Sequence, residues 1–149
     1  MYKSRSVFHD IKTTNHQIKR FLDNKTREEQ NAEITGLQIM TLHYLSEHAD
    51  QDIYQRDLAQ KFSIRNSTVT SLITLMEKNG FIKRQSVEQD ARLKKITITE
   101  KGAQLKMWSE QSMKELEELL RSNLTDEECQ VFFTVIDKLK NSLENGGNK

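Results

Sequence analysis

The hydrophobic pattern of this chain changes period at Asn79-Gly80. Before that pair, Val69, Leu72, Ile73 and Met76 recur at i, i+3, i+4 and i+7, the signature of one buried helix face. After it, "FIKRQ" and "LKKITI" alternate, which predicts two strands of a hairpin at about 81–86 and 93–98. Asn-Gly is a left-handed helix stop. Few folds place a short helix directly before a two-stranded ribbon, and that order limits the rest of the chain. The segment between the strands lacks Asn-Gly or Gly-Gly, so it reads as a longer loop carrying Glu88, Asp90 and Arg92 rather than a tight turn.

Outward from this junction the pattern is helical. "YQRDLAQKF" predicts a two-turn helix burying Tyr54, Leu58 and Phe62, with Ala59 at a close contact, and "DIY" just before it reads as a short strand. Thr35 with Gln38 forms a capping-box pattern for a helix whose core side carries Leu37, Met40, Thr41, Tyr44 and Leu45. Val7, Ile11, Ile18 and Leu22, with Phe8 and Phe21, predict an amphipathic helix over about 5–23, followed by "DNKTREEQNAE" as a loop or frayed end. Thr99 and Glu100 suit the start of a long helix through Leu105, Trp108, Ser112, Leu116, Leu119 and Leu120. Thr125 with Glu128 caps a last helix defined by Phe132, Val135, Ile136, Leu139 and Leu143. Proline is absent, which favours long helices. Low apolar content with 30% charged residues is also a mark of disorder, but these periodicities argue against it.

The fold class is therefore mainly α with a small β-hairpin, in one domain over 1–149. No apolar run exceeds three residues, which excludes a transmembrane helix, and the opening "MYKSRSVFHDIK" lacks the apolar stretch of a signal peptide. A single cysteine fits a reducing, cytoplasmic setting.

Net charge is only +1, but its distribution is uneven. Residues 56–95 hold nine Lys/Arg against four acids, whereas residues 100–144 hold six against ten. A basic block beside an acidic one points to a polyanion partner for one surface. Helix, short turn, helix and ribbon is the order of a winged helix-turn-helix, whose second helix enters the major groove of double-stranded DNA while the ribbon reaches the flanking minor groove or backbone. With the apolar face inward, Ser67, Thr70, Ser71, Thr74 and Lys78 point outward, and Arg65 and Asn66 stand at the helix entrance. Short hydroxyl side chains allow close approach to phosphates and thymine methyls. The DNA-binding candidates are Arg65, Asn66, Ser67, Thr68, Thr70 and Ser71 on this helix, and Arg84, Asp90, Arg92, Lys94 and Lys95 on the ribbon. Asp90 and Arg92 lie two apart and share a face of an extended segment. An arginine suits a narrow, electronegative minor groove. The plain alternatives are a solvated polar helix face and an exposed ion pair.

"DLAQKFSIRNSTVTSLITLMEKNGFIKR" followed by "DARLKKITITEKG" resembles the MarR family of bacterial transcription regulators, and the flanking helices extend the resemblance over nearly the whole chain. The resemblance implies a winged helix-turn-helix lobe at about 35–98 and a triangular, obligate homodimer held by interlocking helices at about 5–23 and 100–144. It implies that Asp90 positions Arg92 at the wing tip and that Arg92 enters the minor groove. Two-fold symmetry then sets two recognition helices about 34 Å apart on a pseudo-palindromic operator, with repression by occlusion. One departure is Arg65, where relatives often carry Ser, Thr or Asp; the weaker cap costs about 1 kcal/mol.

The resemblance further implies response to small phenolic or lipophilic molecules, to oxidants or to metals. Tyr44 and Trp108 are the candidates for an effector pocket, with core packing the alternative. Oxidation-sensing relatives keep a cysteine near the N-terminus, and this chain has none there. Cys129 lies in the first turn of the last helix, where a dipole favours thiolate, although a packing thiol reads better. His9, His16, His43 and His48 lack zinc-ligand spacing, so no metal and no cofactor are expected. No nucleophile–base pair, paired carboxylates or glycine-rich phosphate loop points to an enzyme. The rival reading is a winged-helix protein-interaction module that has lost DNA binding.

Overall fold

A computed structural model describes residues 5–146, so the first four residues of the opening stretch and the last three of the tail lie outside it. Six helices and one hairpin follow in chain order: α1 Val7–Gln30, α2 Gly36–Glu47, α3 Gln55–Phe62, α4 Asn66–Lys78, β1 Ile82–Val87, β2 Asp90–Ile98, α5 Glu100–Arg121 and α6 Asp126–Gly146. They group into two compact units, Met1–Ser109 and Glu110–Lys149. Among the described residues, no helix is long and apolar enough to cross a membrane.

The core of the first unit is built where the helical spacing predicts it. Val69, Leu72, Ile73 and Met76 of α4 are all buried, against Leu42 and Leu45 of α2, Leu58 of α3, Ile82, Ile96 and Leu105. Each such side chain withdrawn from water contributes about 1.5–3 kcal/mol. Within α2 the buried positions are Gln38, Thr41, Leu42 and Leu45. Met40, expected on the core side, is 55% exposed, and Leu42 takes the inward place. The Thr35–Gln38 box forms reciprocally: the Thr35 N–H donates to Gln38 Oε1 at 2.8 Å, and the Gln38 N–H to Thr35 Oγ1 at 3.3 Å. The equivalent box joins Thr125 and Glu128 at the start of α6.

Three further expectations are corrected. The polar run after Leu22 is not a loop: α1 continues to Gln30, with Thr26 buried and its hydroxyl donating to the Leu22 carbonyl, and Asn31 ends the helix in the left-handed conformation at φ 49°. Arg27, Glu28, Glu29 and Gln30 are good helix formers, and a helix end that faces water needs no apolar stripe. "DIY" is not a strand of the sheet, which has two strands only. Ile53 is buried and its carbonyl accepts one bond, from the Ile96 N–H at 2.8 Å, before Tyr54 caps α3.

The third correction concerns the wing. β1 and β2 pair antiparallel up to Val87↔Asp90, so only Glu88 and Gln89 make the turn, and Asp90 and Arg92 belong to the returning strand. Neither turn residue has positive φ, so this is not the Asn-Gly type of hairpin turn. A turn without positive φ splays its strands, and a register irregularity between Ser86 and Val87 absorbs the mismatch. At the other end of β1, Gly80 takes φ +78° just after α4, as a left-handed stop requires. Its neighbour Phe81 donates its N–H back to the Met76 carbonyl at 2.9 Å.

The second unit buries Ser112, Leu116 and Cys129. Leu119, Leu120, Val131, Phe132, Val135 and Leu143 remain 44–78% exposed. Phe132 and Phe133 meet edge to face, with ring centroids 5.7 Å apart.

Candidate nucleic-acid interface

The face opposite the buried stripe of α4 is polar and open. Arg65 occupies the N-cap with extended backbone and makes no side-chain cap bond, so no cap side chain covers the N–H groups of the first turn of α4. Arg65, Asn66, Ser67 and Thr68 are all exposed at this end. The next two hydroxyls along the helix are committed to the helix-turn-helix itself, whereas Thr74 is exposed. Thr70 Oγ1 donates to the Asn66 carbonyl at 2.9 Å and accepts from the Gln55 side chain of α3, and Ser71 Oγ donates to the Ser67 carbonyl at 3.2 Å. The outward set thus divides into an unengaged entrance and a pair tied back into the scaffold.

The ribbon candidates also divide. Arg84 turns inward, its guanidinium bonded to both carboxylate oxygens of Glu77. Lys95 is held 2.7 Å from Asp52. Asp90 Oδ1 accepts the backbone N–H of Arg92 at 2.9 Å, so its contact fixes the local turn of the chain rather than pairing with the guanidinium. Arg92 and Lys94 are exposed, and no ion pair involves them among the described residues.

A groove of about 150 Å³ lies between the start of α3 and β2, lined by Tyr54, Gln55, Arg56, Arg84, Arg92, Leu93, Lys94 and Ile96. Arg56 is not among the sequence candidates. It belongs to the basic block, but only the folding of the ribbon brings it beside Arg92 and Lys94. A larger recess, about 350 Å³, lies between α1 and the start of α2; its walls include Lys19, Asp23, Arg27 and Glu33, two bases matched by two acids.

The effector candidates are both engaged in packing. Tyr44 lies 4.2 Å from the His48 ring and 6.2 Å from that of Phe62, centroid to centroid, and Trp108 Nε1 donates to Glu29 at 2.7 Å. Neither lines the groove or the recess. His43 Nε2 sits 3.3 Å from Ser109 Oγ, and His48 Nδ1 is 2.8 Å from the Tyr44 carbonyl oxygen. His9 and His16 are exposed on α1, and among the described residues no three His, Cys, Asp or Glu side chains gather as a metal-ligand set. Cys129 is a buried free thiol.

Helix, turn, helix and paired ribbon over a shared core define a winged helix-turn-helix module. Residues 34–94 match the MarR family. That segment is the winged helix-turn-helix itself, and the relatives found agree with the match. It is 32% identical over 104 residues to the HTH-type transcriptional regulator PapX of Escherichia coli, an alignment covering 67% of this chain. The chain spans only 61% of the length of that relative. Among solved structures, it is similar to MepR, a transcription regulator of the Staphylococcus aureus multidrug efflux pump MepA, with TM-score 0.78 and 27% identity over 93% of this chain and 99% of the other. The MepR–DNA complex matches with TM-score 0.69 and 28% identity, over 94% and 99%. The heme complex of the heme sensor PefR from Streptococcus agalactiae matches with TM-score 0.73 and 26% identity, over 93% and 92%.

Proposed function

We propose that this chain is a homodimeric, sequence-specific DNA-binding transcription regulator that acts in the cytoplasm and represses by occupying a pseudo-palindromic operator. One observation carries the reading: the exposed entrance of α4, with Arg65, Asn66, Ser67 and Thr68, lies on the same unit as a wing whose Arg92 and Lys94 carry no ion-pair partner among the described residues. Base edges are read from the helix entrance, and the wing arginine takes the minor groove. The solved MepR–DNA complex, similar over nearly the whole chain, supports the same use of the fold.

Dimerisation is supported by apolar surface. Val7, Phe8 and Ile11 of α1 and Val131, Phe132 and Leu143 of α6 are 47–78% exposed, a set of large apolar side chains on each helix that pairing would cover. Relief by a small aromatic or lipophilic effector belongs to the same reading, and PefR is a relative solved with such a molecule bound. Regulation rather than catalysis is the function of the relatives, PapX and MepR among them.

Selection of bound duplexes from a random pool, followed by anisotropy titrations, tests the reading. The selected duplex is expected to bind with a steep loss of affinity as salt rises, because phosphate contacts release counterions. R92A is expected to weaken that binding severely while leaving helical circular dichroism and dimer mass unchanged. Failure to select any duplex overturns the reading in favour of a protein-interaction module.

A further inference from the structure

The groove between α3 and the wing gathers more positive charge than it neutralises. Arg84 on its wall is bonded to Glu77, and Lys94 acts on that carboxylate only at longer range; Arg56, Arg92 and Lys94 make no contact ion pair among the described residues. Arg56 is steadied over the Tyr54 ring, 5.3 Å from its centroid, a contact that orients the guanidinium without discharging it. Three like charges around one recess repel each other unless an anion joins them.

Size and position select the anion. At about 150 Å³ the groove is well below the roughly 300–1,000 Å³ of pockets that enclose organic ligands, and it suits one phosphate with its waters. It also lies where a DNA strand must pass. A recognition helix in the major groove and a wing in the adjacent minor groove straddle the sugar-phosphate backbone that divides them. Gln55, on the groove wall, bonds Thr70 and the Asn66 carbonyl of α4, so the groove adjoins the reading helix on one side and the wing on the other.

We propose that this groove seats a single backbone phosphate of the bound duplex, with Arg56 as a direct contact that sets register and carries no sequence information. The assignment rests on the DNA-binding reading above. Arg56 is then a binding residue that the linear pattern does not reveal.

The test compares wild type, R56A, R56K and R92A on the selected duplex and on an unrelated duplex, over a salt series. R56A is expected to weaken both duplexes by the same factor, about tenfold near 0.1 M salt, and to lower the slope of log affinity against log salt by about 0.9. R56K keeps the charge and is expected to keep most of the slope. A duplex with one neutral methylphosphonate at the seated position is expected to weaken wild type by a larger factor than R56A, which keeps Arg92 and Lys94 on the groove wall. An unaltered slope in R56A, with R92A still impaired, overturns the groove assignment alone. Loss confined to the selected duplex also overturns it, since Arg56 would then read bases. Absence of duplex binding by wild type overturns the DNA reading together with the groove.

Discussion

Glu77, in the last turn of α4, grips Arg84 of β1 at three points. Arg84 Nη2 lies 2.8 Å from Oε1, and Arg84 Nε and its backbone N–H each donate to Oε2 at 3.1 Å. The pair spans the Asn79-Gly80 stop, so it fixes the angle at which the ribbon leaves the helix. A bidentate carboxylate–guanidinium pair gives direction as well as attraction. The hydrogen bond to Arg84 holds the Glu77 carboxyl below its ordinary value of 4.5, and the same bond raises the guanidinium above its own.

A pH dependence follows from the direction of these shifts. A carboxyl whose folded pKa is lowered contributes stability that is present above its unfolded value and lost as pH falls through the folded one. The pair is partly exposed, with side-chain accessibilities of 26% for Arg84 and 37% for Glu77, so screening limits its worth to about 1 kcal/mol or less. Denaturant titrations of wild type and E77Q are expected to differ by that amount at neutral pH. The difference should close only below pH 4.5, where Glu77 is protonated in the unfolded chain and then in the folded one. A gap that closes near neutrality would assign it to another group.

Gly102 of α5 reverses a usual rule. Glycine to alanine inside a helix ordinarily stabilises by about 1 kcal/mol. Here a Cβ would lie 2.1 Å from the Phe81 carbonyl oxygen, 2.9 Å from Ile98 Cγ1 and 3.1 Å from Leu42 Cδ2. The nearest atom is backbone, and the same carbonyl accepts the Thr99 N–H that joins β2 to α5. G102A is expected to lose about 1–3 kcal/mol by overpacking, read as a lower denaturation midpoint. An unchanged or higher midpoint would show that α5 can shift away from the α4–β1 corner.

How much of the fold and site is legible in the sequence depends on range. The α4 face and its stop are legible because periodicity and a left-handed glycine act within a few residues, and all four apolar positions are buried. The continuation of α1 past Leu22 is not, since its apolar pattern fades where the helix meets water. The wing turn reads as a long loop because a register irregularity, which leaves no composition signal, replaces the expected Asn-Gly. The division of the ribbon cations is also hidden. Whether Arg84 meets Glu77 or DNA, and whether Arg56 meets Arg92, depends on how the hairpin folds back over α3 and α4.

Asp90 supplies a test of what a carboxylate does beside a surface proposed to bind phosphate. Its Oδ1 accepts the Arg92 N–H at 2.9 Å, so the acceptor geometry, more than the charge, shapes the wing tip. Asparagine keeps an acceptor oxygen at that position, and alanine does not. D90N is therefore expected to retain most of the operator affinity, and D90A to lose about as much as R92A in the same anisotropy titration. Equal losses in D90N and D90A would instead mean that the negative charge itself orients the guanidinium.

Arg65 sets stability against binding at one position. As the N-cap of α4 it makes no cap bond, whereas a serine there accepts an N–H of the first turn and stabilises the helix by about 0.5–2 kcal/mol. On the proposed reading, an arginine at the same place presents a cation to the helix end assigned to the major groove, within reach of guanine edges or a phosphate. R65S is expected to raise the denaturation midpoint and to weaken operator binding. The two measurements separate the roles. A stabilised protein with unchanged affinity would remove Arg65 from the interface, and a weakened complex with unchanged stability would mean that the first turn of α4 is already satisfied by water. The combination expected here, firmer fold and poorer binding, places the cost of the missing cap at the surface proposed to read DNA.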